Sequence, residues 1–122
     1  MSGVEETGAP ERGVVVHLDE GDPAKQDAVI RNIANLVAEL PAASSVELVV
    51  HGPGLDAVLA DAEHGARVRE LIDRGVAVAA CANTMRRRDI PAEALLPGVR
   101  IVPAGIAEVV QRQWQGWAYV RP

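Results

Sequence analysis

The sequence predicts an α/β fold: a single-domain three-layer sandwich around a mostly parallel sheet of about five strands. Three observations carry that expectation. Short apolar runs such as Val14-Val15-Val16-His17-Leu18 are hydrophobic at successive rather than alternating positions, as strands covered on both faces must be. These runs alternate with segments whose apolar residues recur at helical spacing, which reads as βαβ units with right-handed crossovers. The chain of 122 residues suits one hydrophobic core, and 48% apolar against 24% charged residues excludes a disordered or collagenous protein.

Taken in order, Met1 to Arg12 mix Gly, Pro, Ser, Thr and charges without periodicity and predict a loose arm, leaving residues 13–122 as the domain. The first strand spans Val14 to Leu18. Asp22-Pro23 reads as N-cap and first helical residue, and Val29, Ile33, Leu36, Val37 and Leu40 form one helical stripe that Pro41 stops. Val46 to Val50 is a second strand, ended by His51-Gly52-Pro53-Gly54. One or two short helices follow, with Leu55, Val58 and Leu59 in one piece and Val68, Leu71 and Ile72 in the next, closed by Gly75. Val76 to Ala80 is a third strand running into Cys81, after which Asn83 or Thr84 caps a short helix through Arg86, Arg87 and Arg88. Pro91 to Leu96 holds another turn or two. Val99 to Val102 is a fourth strand, Ile106, Val109, Val110 and Trp114 make a last helical stripe ended by Gly116, and Trp117 to Val120 forms a short edge strand.

Composition narrows the partners. Twelve basic against 17 acidic residues, net −5, give no general attraction to phosphate, and with Trp114, Trp117 and Tyr119 as the only aromatics there is no stacking platform, so nucleic acid is not expected. The longest apolar stretch, Val76 to Ala82, is too short to span a bilayer, and no membrane partner is expected. Met-Ser-Gly-Val-Glu-Glu lacks the basic and apolar regions of a signal peptide, and Cys81, the single cysteine, forms no intramolecular disulfide; both predict a cytoplasmic, reducing location.

Ligands of open α/β sheets gather outside the carboxyl ends of the strands. His17 and Asp19 lie at the end of strand one, His51 follows strand two and Cys81 follows strand three, so topology gathers them on one edge. Cys81 leads into a turn where helix N–H groups would face its sulfur and favour the thiolate, with Arg86, Arg87 and Arg88 adding positive potential. Its other reading is a small apolar residue finishing Val-Ala-Val-Ala-Ala. His17 is either a ligand contact or a satisfied strand histidine, and His51, beside Gly52, is either a ligand contact or part of a plain turn. His17, Asp19, His51 and Cys81 are suitable ligand types without diagnostic spacing, so no metal is expected. Asp19, Glu20 and Asp22 read more simply as a charged loop favouring the helix N-terminus, and they would repel a phosphate. The arginine triplet reads as a solvated face or an anion contact. Trp114 and Trp117 read as a subunit contact or, for Trp114, the largest core residue of the last helix.

With those residues placed, the chain resembles the DsrE/DsrF-like (YchN-like) family. The segments that carry the resemblance are Val-Val-His-Gly-Pro-Gly-Leu from Val49 to Leu55, Gly-Val-Ala-Val-Ala-Ala-Cys-Ala-Asn-Thr-Met from Gly75 to Met85, Pro-Ala-Gly-Ile-Ala-Glu-Val-Val from Pro103 to Val110, and Gln-Trp-Gln-Gly-Trp-Ala-Tyr-Val from Gln113 to Val120. It implies a flavodoxin-like topology, a cysteine that carries sulfane sulfur as a persulfide, a role that falls by position on Cys81, and homo-oligomers, often trimers or hexamers. Ala82-Asn83-Thr84-Met85 departs from the dedicated sulfur-relay subunits of that family and matches its broader branch.

The expected function is a small cytoplasmic sulfur-carrier or sulfurtransferase-like protein, without cofactor, that holds sulfur on Cys81 and meets a donor or acceptor protein. Asn83 and Thr84 would stabilise the anion, while His17, His51 and Gly52 would contact the ligand. The competing expectation is a non-catalytic oligomeric binding module with an inert Cys81, whose strand-end cleft holds a small ligand or a partner. In either case the chain is expected to pair with itself, as a homotrimer or homohexamer.

Overall fold

The first strand, β1 (Gly13–Leu18), is buried over its last five residues, and β2 (Ser45–Val50) shows the same pattern beside it. Both lie inside the sheet, which explains why their apolar positions are consecutive. The structure is a computed structural model that describes residues 12–122. The arm expected over residues 1–12 therefore lies outside the described residues except for Arg12, whose carbonyl accepts the Ser45 N–H at 2.8 Å.

Three further strands complete the sheet: β3 (Ala77–Cys81), β4 (Arg100–Val102) and β5 (Ala118–Val120). Their order is β4-β3-β2-β1-β5, and every pairing is parallel. This is the expected five-stranded α/β architecture, with one correction: the strand order is not the flavodoxin order 2-1-3-4-5. The chain steps one strand at a time from β1 to β4, then returns across three strands to pair β5 with the free side of β1.

The direction of travel fixes the layers. Crossovers of one hand place their helices on one face while the chain steps one way and on the other face when it returns. Helix α1 (Pro23–Glu39), the 3₁₀ segment Gly52–Val58, α2 (Gly65–Asp73) and α3 (Ala82–Arg87) thus share one side, where Val14, Val16, Leu18, Leu48, Val50 and Val78 of the strands meet Val29, Ile33, Leu55, Val68 and Met85. Among the described residues the other side has a single helix, α4 (Gly105–Trp114), over Val15, Val49, Ala79 and Val102, with Val109 and Trp117 closing this smaller core.

Local chemistry sets the boundaries. Asp22 accepts the Ala24 N–H at 3.0 Å and Pro23 opens α1, which ends at Leu40 before Pro41. Gly75 (φ 100°) and Gly116 (φ 90°) take the left-handed backbone that terminates α2 and α4. Two expectations are corrected. Neither Asn83 nor Thr84 caps α3: the chain enters that helix directly from β3 with Cys81 in the cap position. Trp114 is not a core residue: it is 81% exposed, because α4 turns Val109 inward and leaves Trp114 on its outer side.

Candidate functional site

Side chains alternate across a strand, so the residues of β1, β2 and β3 that face α4 are Val15 and His17, Glu47 and Val49, and Ala79 and Cys81. His51 continues the β2 series one residue past the strand end. Because the strands are parallel, His17, His51 and Cys81 collect at the carboxyl edge of the sheet, beneath the first turn of α4.

Cys81 sits at the point where consecutive connections diverge. The chain leaving β3 turns to the α3 side and the chain leaving β4 turns to the α4 side, which makes the β3/β4 edge the switch point at which open sheets bind ligands. The amino ends of both helices therefore approach one sulfur. Burial, with 5% of the residue exposed, pushes the Cys81 thiol up, but hydrogen bonding from the backbone of Gly105, Thr84 and Asn83 and from the Thr84 side chain outweighs it, and the net shift is downward. Gly105 permits the approach: a Cβ there would lie 3.2 Å from the His51 Cβ and 3.3 Å from the Cys81 Cβ.

Thr84 joins this nest to the turn after β2. Its Oγ1 accepts the Gly52 N–H at 2.8 Å, and Gly52 adopts a left-handed backbone (φ 54°) to present that N–H. Arg88 clamps the same turn, donating to the Gly52 carbonyl at 3.1 Å and pairing with Asp56 at 2.6 Å. The arginine triplet thus divides its work: Arg88 is structural, Arg86 hydrogen-bonds the Asn83 side chain, and Arg87 lies close enough to His51 to disfavour its protonation.

The second half of the site is a chain of rings. Tyr119 Oη is 2.7 Å from His17 Nδ1, and His17 Nε2 is 2.6 Å from His51 Nε2, with the two imidazoles stacked at 4.8 Å between centroids. Burial lowers the pKa of both histidines, and the 2.6 Å contact between the facing nitrogens requires one N–H donor and one lone pair there. The His51 ring is directed toward β1 by this bond. Asp19 lies beside the pair, and Arg121 holds its carboxylate at 3.0 Å.

The structure therefore brings Cys81, Asn83, Thr84 and Gly52 into one cluster and His17 and His51 into a neighbouring one, linked by the peptide between His51 and Gly52. Sequence reasoning missed Tyr119 and Gly105 as members, and although it placed Asp19 at the strand edge as a suitable ligand type, it preferred to read it as a loop charge. A signal existed for Asp19. His17-Leu18-Asp19 puts two donor side chains on one face, and the β1–β2 register, which pairs His17 with Val49, brings Asp19 opposite His51 when continued by two residues. Glu47 was also missed: a lone carboxylate within a strand covered on both faces must find partners, and its side chain, fully buried, lies 2.6 Å from Arg100 and 2.9 Å from Arg112.

Comparisons place this geometry among known proteins. The model of the DsrE/DsrF-like family matches residues 13–122. A solved protein of unknown function from Methanobacterium thermoautotrophicum, MTH1491, is 38% identical over 92% of this chain and all of its own, with a TM-score of 0.88. The ychN protein of Escherichia coli shares the fold at 16% identity and a TM-score of 0.64, covering 92% of this chain and 100% of that one. No curated protein matches the chain.

Proposed function

The chain belongs to the DsrE/DsrF-like family, and on that premise we propose that it is a small sulfur-carrier or sulfurtransferase-like protein that holds sulfane sulfur as a persulfide on Cys81. The observation that carries this reading is the convergence of Gly105, Thr84 and Asn83 backbone groups and the Thr84 side chain on one sulfur, which lowers its pKa despite burial. A thiolate in that nest attacks the outer sulfur of a sulfane donor. The new bond is Cys81 S–S, the broken bond is the donor's own S–S, and the donor leaves as a thiolate. An acceptor thiolate then attacks the outer sulfur and Cys81 departs as the anion it began as, so no external oxidant or reductant is consumed. The same donors that hold the thiolate hold the terminal charge of the persulfide.

The burial of Cys81, 5% exposed, supports the second reading, a binding module whose thiol is inert. Intact mass separates the two. Treatment of the native protein with polysulfide is expected to add mass in one-sulfur steps, reversibly with a thiol reductant, and Cys81→Ser is expected to abolish the change. A thiol that reacts only after denaturation overturns the carrier reading.

The reading includes the location and the partners. No helix among the described residues is long and apolar enough to cross a membrane, and a carrier with one exchangeable thiol suits the reducing cytoplasm. The protein acts as a homotrimer or a homohexamer and meets a donor or acceptor protein at the strand edge.

A further inference from the structure

We propose that His17, Asp19 and His51 form a binding site for one first-row divalent transition-metal cation, with Tyr119 orienting the His17 ligand. The inference goes beyond the sulfur reading and does not depend on it. One donor atom from each of the three residues lies within 4.8 Å of the others, and Cys81 does not belong to that group. Two imidazole nitrogens and a carboxylate oxygen are a ligand set for zinc-like or iron(II)-like ions, and three protein ligands leave a coordination position for an exogenous molecule. The sequence does not show the set as a local motif, because His51 arrives from a different strand. The parallel register does the work that close spacing does in a helical motif.

The second observation is Tyr119. A metal-ligating histidine normally donates its other ring N–H to a fixed acceptor, which sets the tautomer and the ring orientation. Tyr119 Oη stands 2.7 Å from His17 Nδ1, where it accepts that N–H and leaves the Nε2 lone pair for the ion. The two Nε2 atoms, 2.6 Å apart, must open to about 3.3 Å to share a tetrahedral ion with bonds of about 2.0–2.1 Å, a small ring rotation. The proton between them must leave that position, to the outer nitrogen of the ring that carries it, so that both Nε2 lone pairs face the ion.

Two cations oppose the site. Arg121 pairs with Asp19 at 3.0 Å, and a metal must displace it; Glu20, 3.9 Å from the same guanidinium, is ready to receive it. Arg87 adds positive potential near His51. Removal of Arg121 should therefore tighten the site, an outcome that a merely adventitious pair of histidines would not give.

The test is titration of the untagged full chain with Co²⁺, followed by visible absorption, with Zn²⁺ competition and native mass spectrometry for stoichiometry. The expected result is one ion per chain, with affinity reduced at least about tenfold by Asp19→Asn or His51→Ala and about tenfold by Tyr119→Phe, raised several-fold by Arg121→Gln, and unchanged within about twofold by Cys81→Ser. His51→Gln, checked by circular dichroism, serves if the alanine variant unfolds. Absence of saturable binding, binding unaffected by the histidine and aspartate changes, or binding lost in Cys81→Ser overturns the proposal; the last outcome would assign the ion to the thiolate and leave the sulfur reading standing.

Discussion

Thr84 carries no charge, yet it decides how the Cys81 sulfur is solvated. Its Oγ1 already accepts the Gly52 N–H, so the hydroxyl hydrogen is free to point at the sulfur. Thr84→Val is expected to raise the Cys81 pKa and slow its alkylation at neutral pH, and to cost about 1 kcal/mol by leaving the half-buried Gly52 N–H without its partner, whereas Thr84→Ser preserves both. The pH dependence of alkylation, read beside a urea melt, checks this. Gly105 acts through space rather than chemistry. Gly105→Ala forces a Cβ against His51 and Cys81 and is expected to cost about 1–3 kcal/mol in denaturant titration while slowing the thiol further. Thr84 was already a candidate in the sequence, whereas Gly105 lies beyond what the sequence revealed. Cys81, His17 and His51 were legible as strand ends, since a parallel sheet gathers such ends on one edge. Tyr119 and Gly105 were not, because their places depend on β5 lying beside β1 and on α4 crossing above β2, and neither follows from local apolar patterning.

Helix α4 runs opposite to the strand it covers. Its Gly105 end lies over His51 and Cys81, and its Arg112 end reaches Glu47 near the start of β2. Arg112 also lies 4.3 Å from the centroid of the Trp117 ring, whose flat side packs on Gly13. The anchor at this end is a cluster of Glu47, Glu108, Arg100 and Arg112. Burial, and the neighbouring Glu108 that it hydrogen-bonds, push the Glu47 carboxyl up to about 7, against the pull of Arg112, while burial raises Glu108 too but its bonds to Glu47 and the arginines outweigh that and hold it down. The two acids therefore titrate as a pair with one proton retained. A carboxyl whose pKa is raised on folding stabilises fully below its unfolded value and loses that contribution as pH rises through the folded value. Stability is thus expected to fall between about pH 5 and pH 8 by on the order of 1–2 kcal/mol, because the arginines and their solvent exposure screen the full linkage. Glu47→Gln, which keeps the neutral form, should flatten that slope in urea titrations at the two pH values; an unchanged slope would assign it elsewhere.

At the scale of the whole molecule the two faces of the sheet are unequally covered. Among the described residues the first has three helices and two 3₁₀ segments, Gly52–Val58 and Ala92–Ala94; the second has α4 alone, with Tyr119 exposed beside it on the β5 edge. The outer side of α4 carries Ile106, Val110 and Trp114 at successive four-residue intervals, all exposed. Such a ridge is suited to another copy of the chain, with Trp114 as its anchor. Light scattering at micromolar concentration is expected to give a mass three or six times that of the chain, and Val110→Glu to shift it to the monomer without loss of helical circular dichroism. A wild-type monomer would remove the assembly claim. The return of β5 to the far side of β1 has one more consequence, and it concerns time. Pairing β1 with β2 closes a short loop, but seating β5 joins residues about a hundred positions apart, and contacts of such separation carry the largest closure entropy and form late. Tyr119 reaches His17, and Arg121 reaches Asp19, only in that step. Tyr119 is therefore a seal on the finished molecule: a chain that has paired four strands already holds His17 beside His51, but the His17 ring is fixed from its other nitrogen, and Asp19 is claimed by Arg121, only when folding has ended.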